Sequence, residues 1–278
     1  MNNTNKMNQF SKIFKDKKPI IGMVHIPPLP GAPLFNPPMT WDEIIKFTLL
    51  DAQALIEGGV DGIQIENQFD IPYNLSKNIG AETTAFMTAI TCNIRFIYPE
   101  FPLGIHILLN GCIQALSVAK AAHADWIRAY NVANAYISNS GYIGASGPAL
   151  MRFRNTINAN NVMIFGDFQV KHGSHAITAD RSIEDKAHDI ETSLCDAAIV
   201  TGNATGSPPD ISTLKKIREK ISIPMLIGSG LSQKNIRKIL PFADGAIVGT
   251  SLKKDGVISE HIDIQSVREL TKLAKSIE

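Results

Sequence analysis

Eight short apolar runs, rich in β-branched residues, recur along the chain and constrain its fold more than any other feature. They are PIIGMVHI (19–26), DGIQIEN (61–67), PLGIHILL (102–109), DWIRAY (125–130), VMIFGDF (162–168), AAIVTG (197–202), PMLIGSG (224–230) and GAIVGT (245–250). The first starts at residue 19 and the last at residue 245. The period is therefore about 32 residues, the size of one strand–helix unit. The runs are continuous rather than alternating, which suits strands covered on both faces.

Helix signals fill the gaps. Thr40 and Glu43 fit a capping box, Ile45, Leu49, Ala52 and Ile56 follow at helical spacing, and Gly58–Gly59 stop the helix. Ser182 precedes Ile183, Ala187, Ile190 and Leu194, and Asp210 precedes Ile211, Leu214 and Ile217. Ser232 precedes Ile236, Ile239 and Leu240, and Ile264, Val267 and Leu270 mark a last helix. Strand and helix alternating eight times imply a parallel sheet. The expected fold is α/β, a single (β/α)8 TIM barrel. An open doubly wound sheet is the weaker alternative, because no GxGxxG follows the first run. No linker divides the chain, so the expected organisation is a flexible polar arm over 1–17 and one barrel domain over 18–278.

Composition narrows the partners. The chain has 278 residues, 44% hydrophobic and 19% charged, enough to bury a large core. Lys plus Arg number 27 against 26 Asp plus Glu, so no global basic field points to nucleic acid. No apolar run reaches about 18 residues, so no membrane span is expected. A peripheral membrane contact through the basic N-terminal segment, and a homo-oligomer, stay open. Cys92, Cys112 and Cys195 are odd in number and form no CxxC pair. Together with an N-terminus that does not read as a secretory signal, they suit a reducing cytoplasm.

Active sites in such barrels lie at the C-terminal strand ends. That rule selects His25 at the end of the first run, Glu66 and Asn67 at the end of the second with Asp70 beyond it, Asn110 after the third and Arg128 in the fourth. It also selects Asp167, Lys171 and His172 around the fifth, and Thr201 with Thr205 after the sixth. The seventh run ends in Gly228, Ser229 and Gly230, and the eighth in Gly249, Thr250 and the adjoining Ser251. Glycine-rich loops after the last two strands are the usual phosphate site of this fold, since glycine lets backbone N–H groups approach an anion. The alternative is tight turns with no ligand.

Asp167 has three readings: a proton carrier, an ion-pair partner of Lys171, or a bystander to a Schiff-base Lys171. Arg128, inside an apolar strand, needs Asp167, Glu66 or an anionic ligand. His172 and His175, with Glu66 and Asp70, offer zinc-type donors at no established spacing, so a divalent metal lacks motif support and no cofactor is predicted. His25 reads as a packed strand-end histidine or a ligand contact. The catalytic candidates are thus Asp167, Lys171, His172, Arg128 and Glu66, acting on a phosphorylated small molecule.

The segments IGMVHIPPLPGAP (21–33), DGIQIENQFDIPY (61–73), GDFQVKH (166–172), IVTGNATG (199–206) and GSGLSQKNIRKILPFADGAIVGTSLKKDG (228–256) together resemble the BtpA/SgcQ family, from about Lys18 to the C-terminus. The resemblance implies a barrel of the ribulose-phosphate-binding type. The family's founding member is linked to photosystem I biogenesis at a membrane, and another branch lies among sugar-metabolism genes, so no agreed reaction comes with it. The resemblance therefore implies either lyase- or isomerase-type proton transfer on a sugar or nucleoside phosphate, or a non-catalytic biogenesis factor for a membrane protein complex. His106 and Leu109 stand where the family pattern has Asn and Arg, and Tyr130 where it has Asn or Glu. These departures imply an altered substrate or a lost activity.

Overall fold

The computed structural model describes residues 3–15, 17–35, 39–202 and 206–277. In chain order the elements are α1 (Asn3–Phe14), β1 (Ile20–His25), α2 (Trp41–Gly58), β2 (Gly62–Glu66), α3 (Ala81–Ile97), β3 (Leu103–His106), α4 (Cys112–Ala121), β4 (Trp126–Ala129), β5 (Tyr136–Ser138), β6 (Gly141–Ile143), α5 (Gly147–Thr156) and β7 (Met163–Asp167). There follow α6 (Ile183–Thr192), β8 (Ala197–Val200), α7 (Ile211–Arg218), β9 (Met225–Ile227), α8 (Ile236–Ile239), β10 (Gly245–Val248) and α9 (Ile264–Lys275).

Eight parallel strands close into a barrel in the order β1-β2-β3-β4-β7-β8-β9-β10 and back to β1. Each of the eight apolar runs supplies one barrel strand. The caps follow the sequence closely. Thr40 and Glu43 form the reciprocal box on α2, Gly59 ends it at φ 91°, and Ser182 with Asp185 repeat the box on α6. The buried residues of α2 are Ile44, Thr48, Asp51, Ala52, Leu55 and Gly58, so Ala52 lies on the predicted stripe while Ile45, Leu49 and Ile56 each sit one position past a buried residue. Helix α8 is a single turn, followed by a 3-10 turn through Pro241. No helix among the described residues is long and apolar enough to cross a membrane.

The barrel interior is filled from alternate strand positions: Ile21 and Met23, Trp126, Met163 and Phe165, Ile199, Leu226 and Ile247. Gly104 makes room for the largest of these. A methyl group there would collide with the Trp126 indole nitrogen, which donates to Gln64 Oε1 at 3.1 Å. Gly104→Ala is therefore expected to cost about 1–3 kcal/mol through overpacking. Urea unfolding measures it, and an unchanged midpoint would show that the indole can move aside.

Two features depart from expectation. The segment read as a polar arm is helical over residues 3–14, and Phe10 and Phe14 are buried beneath the barrel. Their ring centroids lie 6.2 Å from Phe165 and 5.6 Å from Trp126, respectively. The polar average of the segment hid a stripe of Phe10, Ile13 and Phe14 at helical spacing. The β5–β6 hairpin in the β4–α5 connection, with Tyr136 opposite Ile143, was also unforeseen. Three-residue strands carry too little pattern to read, although Gly141 at φ 109° was a turn signal.

Candidate functional site

A cavity of about 580 Å³ opens at the C-terminal end of the barrel. Its lining includes the strand-end residues His25 and Glu66, Arg128, and Lys171 and His172 from the β7 loop. It also includes both glycine-rich loops: Gly228, Ser229 and Gly230 after β9, and Gly249, Thr250 and Ser251 after β10. The two loops touch, since Ser251 Oγ donates to the Leu231 carbonyl at 2.7 Å. Gly230 sits at φ 77°, with backbone atoms of Ser207 and Pro208 where a Cβ would go. Only glycine lets the loops after β8 and β9 approach this closely. Lys171 Nζ lies 3.5 Å from Ser229 Oγ. Burial and the nearby Arg128 charge lower the pKa of its ammonium.

Arg128 and Asp167 form a bidentate pair, Nε to Oδ1 and Nη2 to Oδ2, both at 2.8 Å. Asp167 is 1% exposed and is not part of the cavity lining; Arg128 is. The sequence reading placed Asp167 in the cavity as a proton carrier or as the partner of Lys171, and also offered it to Arg128 as a salt-bridge partner. The structure gives it to Arg128 and sends Lys171 to Ser229. The reason is local. Strand β7 ends at Asp167, so the alternation that put Asp167 and Lys171 on one face does not continue to Lys171.

Glu66 stands between two histidines. Its Oε2 is 2.5 Å from His106 Nδ1, and its Oε1 is 3.9 Å from His25 Nε2. Burial pushes the Glu66 carboxyl up, but His106, His25 and Arg128 outweigh it and bring it down to about 2. An ionised Glu66 only accepts, so His106 Nδ1 carries the proton it donates. Burial takes His25 down to about 4 despite Glu66, leaving a neutral imidazole at neutral pH. Tyr130 packs edge-on against His106 at 4.3 Å and lies 5.1 Å under the Arg128 guanidinium. Two of the three departures from the family pattern thus touch each other, and the third, Leu109, lines the cavity.

Other candidates do structural work outside the lining. Asn67 accepts from the Leu108 amide at 2.7 Å and donates to Asp70, which in turn accepts from the Leu29 amide at 2.8 Å. These bonds tie together the loops after β1, β2 and β3. Asn110, at φ 60°, accepts from Cys112 Sγ, and Thr201 donates to the Gln169 carbonyl at 3.0 Å. Thr205 lies outside the described residues. Among the described residues no group of three or more His, Cys, Asp or Glu side chains is arranged to hold a metal ion. Sequence reasoning missed Gln68, Tyr73 and Tyr136, which line the cavity. Tyr136 sits on the unforeseen hairpin, and the aromatic residue type was the only signal.

Solved structures share the architecture at low identity. The tryptophan synthase α subunit of Legionella pneumophila matches at TM-score 0.58 and 15% identity, over 100% of this chain and 98% of that one. The N-(5'-phosphoribosyl)anthranilate isomerase of Pyrococcus furiosus matches at TM-score 0.53 and 14% identity, over 92% and 98%. Sequence relatives are much closer. An uncharacterized protein of Methanocaldococcus jannaschii is 36% identical over 94% of this chain and 97% of its own length. The photosystem I biogenesis protein BtpA of Synechocystis is 33% identical over 90% and 85%. The BtpA family model matches residues 16–276, which takes in every barrel strand and every described residue of the cavity. By that match and those relatives, the chain belongs to the BtpA family.

Proposed function

We propose that the cavity binds a phosphorylated small molecule in the cytoplasm and moves a proton on it, as a lyase or isomerase does. The observation that carries this reading is the convergence of the β9 and β10 loops with Lys171 on one cavity that also holds Glu66 and His25. Backbone amides and an ammonium suit a phosphate. Lys171, with its pKa lowered, suits a group that gives up and takes back a proton, while Glu66, at about 2, and His25, at about 4, are weak bases that stay ionised and neutral beside it. Arg128, held rigid by Asp167, supplies a fixed positive charge for a second anionic group or a developing oxyanion.

Calorimetric titration with inorganic phosphate and with ribose phosphate tests the binding. Lys171→Met is expected to weaken both by about 10- to 100-fold, the worth of a charge-assisted hydrogen bond. If neither anion binds the unaltered protein at millimolar concentration, the phosphate reading fails.

A non-catalytic role in assembling a membrane protein complex is the second reading, favoured by an apolar groove that shares no lining residue with the cavity. It runs beside α2, with Leu34 54% and Leu50 47% exposed and Phe47 between them. That reading expects the protein to cosediment with membranes of its own cell, and Leu50→Glu to release it. Full solubility of the unaltered protein would exclude it.

A further inference from the structure

We infer that the occupant of the cavity is a phosphate ester that also carries a carboxylate, and that the carboxylate docks on the open edge of Arg128. The inference rests on the phosphate reading above and adds to it the second anionic group of the ligand.

The Arg128 guanidinium is only partly used. Its Nε and Nη2, the side-on edge of the fork, bond Asp167. The end-on edge keeps the N–H groups of Nη1 and the second N–H of Nη2. Nη1 makes no hydrogen bond among the described residues, and it is not one of the buried polar atoms left without a partner. It therefore reaches open space, and the space that Arg128 lines is the cavity. The side chain is otherwise buried, so this edge is where a ligand meets the cation.

Neighbouring residues keep that edge clear and fixed. Gly228 faces Nη2, and a Cβ there would lie 3.2 Å from it, so glycine leaves the space beside the guanidinium empty. The Tyr130 ring covers one face at 5.1 Å, and Asp167 sets the rotation. An anion must then approach in the guanidinium plane. A planar carboxylate does so with two parallel N–H···O bonds. A second phosphate would bring more charge and a third oxygen toward the ionised Glu66, which lines the same cavity and already feels the Arg128 charge.

The phosphate has its own place on the adjoining wall. The amides of Ser229, Gly230 and Leu231, all in the cavity lining, make no hydrogen bond among the described residues. Gly230, at φ 77°, gives this stretch the left-handed turn of an anion-binding nest. The Gly228 amide, by contrast, is spent on the Val200 carbonyl at 2.9 Å. The arginine edge thus meets the β9 connection at its first residue, and the free amides begin at the next. Lys171 serves both positions. It bonds the Ser229 hydroxyl at 3.5 Å, and the Arg128 charge is near enough to help lower its pKa. Like charges held this close favour a ligand with an anionic group at each position.

Calorimetry with three probes tests the inference. Phosphoglycerate and glycerol phosphate differ in one end group, carboxylate against hydroxymethyl, and glycerate lacks the phosphate. Phosphoglycerate is expected to bind at least tenfold more tightly than glycerol phosphate, about the worth of a charge-assisted hydrogen bond. That preference is expected to vanish in the Arg128→Met, Asp167→Leu double variant, which leaves neither charge buried without its partner. Equal affinities in the unaltered protein, or a preference that survives in the double variant, would overturn the carboxylate subsite and leave the phosphate reading intact. Glycerate binding as tightly as phosphoglycerate would overturn the phosphate half, and failure of both phosphorylated probes to bind would remove the phosphate reading and this inference with it. If the double variant does not fold, the comparison on the unaltered protein decides the point.

Discussion

Asp167→Asn lowers the stability of this protein by about 3–5 kcal/mol, the usual result of leaving one member of a buried ion pair without its partner. Asp167 and Arg128 have side chains 0% and 3% exposed and share two hydrogen bonds of 2.8 Å. Asparagine keeps the shape but presents one carbonyl where the guanidinium needs two negative oxygens. Arg128 then keeps its charge, 3% exposed, with only the Glu66 carboxylate, to which it is not bonded, left to balance it. From the sequence alone the same substitution looks harmless to folding, because a cavity carboxylate would be dispensable for stability. The position of Asp167 behind Arg128 reverses that expectation. Removing both charges, in Arg128→Met combined with Asp167→Leu, is expected to recover most of the loss. Urea unfolding of the three proteins decides the matter. A midpoint for Asp167→Asn within error of the unaltered protein would return Asp167 to the role of a functional rather than a supporting group.

Acid destabilises the barrel in two steps, and the first is set by His25. Its folded pKa is about 4 against an ordinary 6.5, so the unfolded chain takes up the proton first. The corresponding stability is complete above pH 6.5 and is lost as pH falls toward 4. Glu66 is also depressed, to about 2 from 4.5, and its contribution is complete above pH 4.5 and lost as pH falls toward 2. Both slopes have the same sign, and each is worth about 3 kcal/mol over its full window. Chemical denaturation at pH 7 and near pH 4.5 measures the first step in isolation. His25→Gln is expected to abolish that step, flattening stability across the interval. A variant as acid-sensitive as the unaltered protein would show that some other group controls it.

The sequence by itself determined the architecture. Continuous apolar runs at the period of one βα unit specify strands buried on both faces, and eight of them leave few ways to close a sheet. Local signals placed the helix starts with equal success, as at Thr40, Ser182 and Asp210, because a cap is made by residues within one turn of each other. The glycine-rich loops were legible for the same reason. What only the tertiary structure decided was pairing between strands. Nothing local distinguishes Lys171 from Arg128 as the partner of Asp167, Asn67 as a tie between loops from Asn67 as a ligand contact, or Phe10 and Phe14 as a barrel plug from two stray aromatics. Each of those outcomes depends on which side chains from distant segments arrive at the same point, and on which charge buries the other from water. Strand spacing along the chain carries the fold, whereas the site is made across the barrel, where distances in sequence no longer measure distances in space.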